Sequence, residues 1–468
     1  MKIPENVKIL MQRLIDNGYE AYIVGGAVRD YYLGVEPHDY DIFTNCKELL
    51  KIFPEGNVIG GEERQNKILT IIVDDIEISS YRSSGDRKLL GETLEQHQAT
   101  CDFTINSIAC DIDGSTDFFI DGKPNKFNSK GKDDLYKRIL RFVGNPDDRI
   151  KEDPLRVLRG IRFKIKYYLS YDKNTKEAIL KADISSLTKE RIRDELIKIL
   201  CLNNIKYADI AELEKVLLVK LFHENMFKSG GEHHNEVPYE HSVYSFQEAS
   251  KITDDWRIRL AALLHDIGKA VARTEEGGEV HFYQHETKGA EIVEKWMTHM
   301  KFSKDEIKYV TEMIHLHMFG YKEEIKDKTY IKFFNKLEAA GIDIHDYIML
   351  IYSDHQGNQA KPRIKFGDFL KGNYLYNNWL RIREQKTPFN ISDLSIGGKD
   401  LIERYNMNPG PLIGKILNAV LEKIIDGDLR NERAEIFNWI EETKELANCI
   451  AKKIDEEVIE KIAKGELK

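Results

Sequence analysis

No stretch of this 468-residue chain is apolar for long enough to suggest a membrane span, since uncharged runs stay well short of the ~20 residues needed to cross a bilayer. The N-terminal segment MKIPENVKILMQRLIDNGYEAYIV mixes charged and apolar residues at helical spacing, so it does not read as a secretory leader. A soluble, cytoplasmic protein is expected. Cysteine is scarce: Cys46, Cys101, Cys110, Cys201 and Cys449 are scattered, their number is odd and no CxxC pair occurs. This spacing excludes a disulfide framework and a thiolate zinc site, and it suits a reducing compartment. Internal repeats and low-complexity segments are missing as well. Nor is there an excess of positive charge. With 79 acidic residues against 70 lysines and arginines the net charge is −9, which argues against a chain coated in nucleic acid, although a global sum hides local fields.

What is present is enough apolar material, 41% of the residues, for several cores and roughly two to four domains. Charge is distributed unevenly. From Arg149 to Leu200 basic residues, among them Arg162, Lys164, Lys166, Lys189, Arg191 and Arg193, outnumber acidic ones. A solvated helix face and a surface for a polyanion explain that cluster equally well. The first stretch reads as a helix from Val7 to Asn17, a strand from Ala21 to Val24, a glycine turn, a second helix, and short strands through Ile42 and from Ile68 to Arg82. ILTIIV, then Asp74-Asp75, then IEISSYR is predicted to form a β-hairpin, because two β-branched runs flank a two-residue polar turn. Asp111 to Asp133 is read as loops and turns. After about Asn145 helical spacing dominates, with breaks near Gly230-Gly231, Gly277-Gly278, Gly397-Gly398 and Pro409-Gly410-Pro411.

Three features of the N-terminal region carry chemistry. GGAVRD, Gly25 to Asp30, follows a strand and opens a helix, so a turn without side chains could let backbone N–H groups approach phosphate oxygens, with Arg29 adding a charged fork. Most glycine turns between strand and helix are only geometric. Asp39-Tyr40-Asp41, read as a strand, places two carboxylates on one face. A lone DxD is more often a surface turn. Glu77, in the strand IEISSYR, offers a third carboxylate, and such a set of oxygens suits Mg²⁺. The ordered series is far less expected by chance than any one member. Further on, Asp153 and Arg156 are three residues apart and are read as one face of a helix, an acceptor beside a fork of donors; an isolated pair of this kind is equally well an ordinary ion pair.

Gly25, Gly26, Arg29, Asp30, Asp39, Asp41 and Glu77 together resemble the signature of the nucleotidyltransferase superfamily, and within it of class II tRNA nucleotidyltransferases, which include CCA-adding enzymes and bacterial poly(A) polymerases. CDFTINSIA (Cys101 to Ala109), EDPLRVLRGIRF (Glu152 to Phe163) and ERIRDEL (Glu190 to Leu196) resemble later motifs of that family in the same order. The resemblance implies catalytic carboxylates at Asp39, Asp41 and Glu77 holding Mg²⁺, nucleotide contacts from Gly25, Gly26, Arg29, Asp102 and Asn106, and base selection by Asp153 and Arg156 with Arg159 orienting them. It departs at one place. Where the family carries two arginines before the aspartate of its third motif, this chain has Thr100 and Cys101, so either the contacts of those arginines are lost, with a different rate or nucleotide affinity, or another basic residue substitutes.

In the C-terminal half, RLAALLHDIGKA places His265 and Asp266 at the end of an apolar helical run, with His241 upstream and His285, His317 and Asp354 downstream. This ordered set resembles the HD superfamily, which implies one divalent ion on His241, His265, Asp266 and Asp354, with His285 and His317 serving a second ion or a substrate phosphate. Imidazole and carboxylate donors suit Mn²⁺, Fe, Ni²⁺ or Zn²⁺, or Mg²⁺. LSIGGKDLIERYNMNPGPLIGKILNAV resembles the helical tail of CCA-adding enzymes that carry HD domains.

The expected fold class is α+β: a small mixed-sheet, polymerase beta-like head over 1–145, an all-α neck over 146–205, an HD domain over 206–375 and a helical tail over 376–468. The expected function is template-independent addition of C and A from CTP and ATP to tRNA, with HD phosphoesterase activity. Poly(A) polymerase, or an HD phosphohydrolase whose head only binds RNA, are the alternatives. The expected partners are tRNA, CTP and ATP, with no membrane.

Overall fold

The computed structural model describes residues 1–60, 69–83, 89–120, 122–217, 224–228, 237–277, 279–321, 325–384, 388 and 390–443. The chain divides into two compact units, Met1–Lys220 and Leu221–Lys468.

The first unit opens with α1 (Glu5–Asp16), which buries Val7, Leu10, Met11 and Leu14, one stripe at a spacing of three and four. A six-stranded sheet follows. It is built from β1 (Tyr22–Val24), β2 (Asp41–Thr44), β3 (Asn57–Gly60), β4 (Thr70–Val73), β5 (Ile76–Ser80) and β6 (Ala109–Cys110), in the order β3-β4-β5-β2-β1-β6. Only β2 and β5 pair in parallel. The β4–β5 hairpin forms as expected, with Asp74 and Asp75 both at positive φ (49° and 62°), the geometry of a two-residue turn that matches strand twist. Short helices α2 (Gly26–Tyr32), α3 (Leu49–Ile52) and α4 (Leu94–Gln98) connect these strands.

The segment expected to be loops up to Asp133 instead holds a short hairpin, β7 (Phe119–Ile120) with β8 (Lys123–Pro124), and then α5 (Lys126–Tyr136). Asn125 caps that helix by accepting from the Asn128 N–H at 2.8 Å. Buried Asn128 ties the helix to the sheet: its Oδ1 accepts from Ala109 N and Gln98 Nε2, and its Nδ2 donates to Ala109 O and Thr116 O, so every hydrogen-bonding position of the amide is used. Gly131 makes the approach possible, because a Cβ there would stand 2.5 Å from both Thr104 O and Ile108 Cγ1. Its role is closeness, which a reading of glycine as a turn signal misses.

Beyond β9 (Ile139–Leu140) come α6 (Pro146–Glu152) and α7 (Leu155–Lys166), then β10 (Ser170–Tyr171), which pairs with β9, and α8 (Lys173–Lys181), α9 (Lys189–Leu200) and α10 (Tyr207–Leu217). Arg162 of α7 reaches buried Glu195 of α9 at 2.5 Å, and Lys164 reaches Asp209 and Glu212 of α10 at 2.6 and 2.5 Å. Part of the basic cluster on α7 is therefore spent on holding neighbouring helices.

The second unit is mainly helical: α11 (Pro238–Ile252), α12 (Trp256–Leu264), α13 (Lys269–Ala272), α14 (His285–His299), α15 (Lys304–Leu316), α16 (Asp327–Ala339), α17 (Ile344–Gly357), α18 (Phe366–Gly372) and α19 (Tyr374–Glu384). The break expected at Gly277 is the tip of an antiparallel hairpin, β11 (Arg273–Glu276) and β12 (Glu279–Phe282), rather than a gap between helices; Gly277 sits at φ 62°. The break expected at Gly230-Gly231 lies outside the described residues. α20 (Gly398–Tyr405), α21 (Pro411–Ile425) and α22 (Arg433–Glu442) close around a core of their own that includes Leu401, Ile416, Val420, Ile436 and Ile440. The glycine and proline punctuation at 397–398 and 409–411 bounds α20 and α21 as expected. Among the described residues no helix is long and apolar enough to cross a membrane.

Gly131→Ala should lower the stability of the first unit by about 1–3 kcal/mol, because the added methyl meets backbone and a packed isoleucine. Urea unfolding followed by circular dichroism would measure it, and a shift within error of zero would refute the close-approach argument.

Candidate functional sites

A cavity of about 520 Å³ opens in the first unit beside the sheet. Gly25, Gly26, Arg29, Asp41, Asp102, Asn106, Asp153, Arg156 and Arg159 line it, so nine of the expected residues share one wall system. Gly25 sits at φ 99°, which favours glycine, and a Cβ there would press against Asn106 O at 3.4 Å. Asp41 opens β2 directly beside Glu77 of β5. Asp39 was read as part of the same strand, but β2 begins only at Asp41 and Asp39 is exposed in the preceding loop. The three carboxylates still sense one another. Burial, then the charges of Glu77 and Asp39, push the Asp41 carboxyl up to about 6. Such crowding of anions is what a divalent cation relieves, and oxygen donors of this kind fit Mg²⁺.

A chain of charged groups runs through the cavity floor. Arg159 donates to Asp102 Oδ2 through Nε and Nη2 at 2.8 and 2.7 Å, while Asn106 Nδ2 and the Phe103 N–H donate to Asp102 Oδ1. Burial alone would raise this carboxyl. The guanidinium and the hydrogen bonds outweigh it and hold Asp102 below the usual carboxylate range. Asn106 Oδ1 accepts from Arg29 Nη1 at 2.6 Å, Arg29 Nε donates to Asp30 Oδ1 at 2.8 Å, and the Tyr167 hydroxyl donates to the same oxygen at 3.0 Å.

The pair Asp153 and Arg156 departs from expectation. They do not share a helix. Asp153 ends α6 with φ −152° and ψ 97°, and Pro154 starts the next turn before α7. Proline pushes the residue before it out of helical geometry, which the three-residue spacing conceals. Asp153 accepts from Arg191 Nη2 at 3.0 Å. Arg156 is buried, with Nη1 donating to Glu152 Oε2 and Arg149 O and Nη2 to Thr100 O. Arg159, expected to orient this pair, is occupied by Asp102 instead.

Arg82, His97, Arg191, Phe43 and Phe163 also line the cavity and were not singled out from sequence. Arg82 ends the run IEISSYR, two residues past the strand that carries Glu77, and Arg191 lies within ERIRDEL, so both had a signal. His97 had none, since its place depends on stacking against Phe43, 4.0 Å between ring centroids and 54 residues away in sequence.

In the second unit the six expected residues meet in one buried cluster, with His241, His265 and Asp354 forming one triad and Asp266, His285 and His317 another. Within each triad the candidate ligand atoms lie within 4.8 Å of one another. Helix ends supply them: His265 and His317 cap α12 and α15, and His285 opens α14. Three imidazoles are held by one device. Nδ1 of His265, His285 and His317 donates to the carbonyls of Ala262, Phe282 and Ile314 at 2.9, 2.9 and 2.6 Å. Carbonyls only accept, so each Nδ1 carries a proton and each Nε2 is left facing inward. Asp266 faces both triads, with Oδ2 3.4 Å from His265 Nε2 and Oδ1 3.2 Å from His285 Nε2. Two Nε2 atoms, of His285 and His317, stand only 3.3 Å apart. Facing lone pairs at that distance favour a cation between them. Burial would push the His265 imidazole down, but Asp266 and Asp354 overcome it and raise it to about 10. Burial and the neighbouring His265 push His317 down to about 3. This donor set of imidazoles and carboxylates fits a divalent transition metal. Lys269 also holds Asp266 Oδ2, at 2.6 Å.

Comparison with known proteins places these sites in a family. Residues 21–141 match the family model of the poly A polymerase head domain, and residues 281–440 match that of tRNA nucleotidyltransferase domain 2. The chain is 28% identical over 460 residues to a CCA-adding enzyme of Lactococcus lactis subsp. lactis, covering 93% of this chain and 97% of that protein. It is 25% identical to an A-adding tRNA nucleotidyltransferase of Deinococcus radiodurans, covering 90% and 96%. The fold is similar to the crystal structure of the Bacillus stearothermophilus CCA-adding enzyme in complex with CTP, with a TM-score of 0.63 and 21% identity over 97% of this chain and all of that one. Between them the two family models span more than half of the sequence, and the chain belongs to the tRNA nucleotidyltransferase and poly(A) polymerase family.

Proposed function

We propose that this chain adds C and A nucleotides from CTP and ATP to the 3′ end of tRNA without a nucleic-acid template. The observation that carries this reading is that Asp41 lines one cavity with the Gly25-Gly26 turn and five arginines, while Glu77 on the paired strand and Asp39 in the preceding loop crowd its carboxylate. Likeness to enzymes named CCA-adding over more than nine-tenths of both chains supports it. In this reading residues 1–145 form the catalytic head, 146–205 the base-selecting neck, 206–375 an HD domain and 376–468 a helical tail.

The RNA 3′-oxygen attacks the α-phosphorus in line, a new oxygen–phosphorus bond forms, the bond from the α-phosphorus to the bridging oxygen breaks, and pyrophosphate leaves while the hydroxyl proton passes to solvent. Divalent ions such as Mg²⁺ would supply the electrostatics, lowering the pKa of the attacking hydroxyl and neutralising charge on the leaving oxygens. Asp39 and Asp41 would hold them, and Glu77 would complete the set. Backbone N–H groups of Gly25 and Gly26, with Arg29, face the phosphates. Asp102, kept ionised by Arg159, accepts from the ribose with Asn106 beside it.

Base choice falls to Asp153 and Arg156. Cytosine and adenine each present an exocyclic amine donor beside a ring-nitrogen acceptor, and an aspartate beside a guanidinium reads that order, whereas uracil and guanine reverse it. Arg156 exchanges its bond to Glu152 for one to the base. Exposed basic residues of α9, such as Lys198, face the RNA backbone.

A second activity rests on a separate observation, the inward turn of Nε2 atoms from carbonyl-held histidines around Asp266 and Asp354. His241, His265, Asp266 and Asp354 would hold one divalent ion, and His285 and His317 a second ion or a substrate phosphate, with water activated against a phosphoester.

Incubation of tRNA trimmed to its discriminator base with CTP alone should add two C residues, and CTP with ATP should complete CCA. Runs of A without C would instead make the chain a poly(A) polymerase. Asp41→Ala should abolish incorporation and leave phosphoester hydrolysis intact, whereas His265→Ala should do the reverse and reduce transition-metal content. Loss of both activities in either variant would refute two independent sites. Metal binding at the head requires Asp41 ionised, and its carboxyl keeps the proton up to about pH 6. The apparent Mg²⁺ affinity should therefore fall about tenfold per pH unit below that point and level off above it; a flat affinity in metal titrations across that range would contradict the assignment.

A further inference from the structure

Five arginines line the cavity of the first unit. Four are engaged: Arg29 by Asp30 and Asn106, Arg156 by Glu152 and two carbonyls, Arg159 by Asp102, and Arg191 by Asp153. Arg82 is the exception, its guanidinium making no hydrogen bond or ion pair among the described residues. Its charge is nevertheless felt at the reactive end of the cavity, where it opposes the rise of the Asp41 carboxyl.

The backbone beneath this side chain is firmly placed. Tyr81 N donates to Thr44 O at 2.7 Å, Gly91 N to Tyr81 O at 2.7 Å, and Ser83 N to Leu89 O at 2.9 Å, while Arg82 itself bridges to Leu90. Gly91 passes so close that a Cβ there would stand 2.4 Å from Arg82 O. A guanidinium with no partner among the described residues has no bond to give up when an anion arrives, and a planar fork suits phosphate oxygens two at a time. The positions from which the family resemblance would supply arginines hold Thr100 and Cys101. Thr100 is buried with its hydroxyl donating to His97 O, and neither side chain carries a positive charge.

We propose that Arg82 grips the β- and γ-phosphates of the incoming nucleotide, supplying in this chain the cation that Thr100 and Cys101 do not. The assignment rests on the nucleotidyltransferase reading above. A contact to the triphosphate is blind to the base, so Arg82 serves CTP and ATP alike, while Asp153 and Arg156 carry the choice between bases.

Equilibrium binding of CTP, ATP and CMP to the full-length protein in the presence of Mg²⁺ tests this. Arg82→Gln should weaken CTP and ATP equally, by about ten- to a hundredfold for a lost charge-assisted pair, and should leave CMP within about twofold. Arg82→Lys, which keeps the charge without the fork, should fall between the two. Thermal unfolding of each variant controls for folding, and the comparison of CTP with CMP within one variant holds even if stability shifts. Unchanged CTP binding, an equal loss for CMP, or a loss confined to one base would overturn the assignment. A wild-type protein that binds neither triphosphate would overturn the nucleotidyltransferase reading and this one with it.

Discussion

The ion pair between Arg159 and Asp102, in which two N–H groups of the guanidinium share one carboxylate oxygen, joins the two halves of the cavity in the first unit. One partner belongs to α7, the other to the turn that precedes β6, so the ion pair sets how far the arginine-bearing helix stands from the sheet that carries the acids. Both groups lie mostly out of water, where an unpaired charge costs several kcal/mol in desolvation. The geometry around them follows. Asp102 orients Asn106, Asn106 orients Arg29, and Arg29 packs under the glycine turn with Tyr167 and Asp30 closing the chain. A cavity that must present donors to an anion is thereby kept from collapsing onto its own acids, because four of its five lining arginines are held by fixed partners.

The second unit solves a related problem with neutral groups. Three of its imidazoles, His265, His285 and His317, are aimed by main-chain carbonyls three residues earlier, at helix ends, whereas His241 lies within α11 and its Nε2 faces Asp354 Oδ1 at 2.9 Å. Negative charge enters through Asp266 and Asp354, with the Lys269 ammonium 2.6 Å from Asp266 Oδ2. Asp266 and Asp354 raise the His265 imidazole to about 10 against the effect of burial, so the buried carboxylates favour positive charge beside them.

Much of this was legible in the sequence because the relevant signals are local. β-branched runs around Asp74-Asp75 gave the hairpin that carries Glu77, and the ordered histidines and aspartates of the second half gave six residues that the fold brings together. Failures came where distant packing or a single backbone constraint intervened. Gly131 permits a helix to approach a turn, a role that no short-range pattern reveals. Pro154 interrupts what spacing suggested was continuous helix, and Asp39 falls just outside a strand whose pairing begins one residue pair later. His97 enters the cavity only because Phe43 waits on a neighbouring strand. Sequence distance hides such partners, whereas it displays repeats of two and of three to four.

The interruption at Pro154 has a structural consequence of its own. On an unbroken helix, the gap between an acceptor and a donor three positions apart is set by the helical repeat and cannot adjust. Here the acceptor rides at the end of one rod and the donor near the beginning of the next, with a stiff imide link between them. A slight swivel of one rod alters the distance between the two, so in the proposed base-selecting role the same two side chains would accommodate a pyrimidine and a purine.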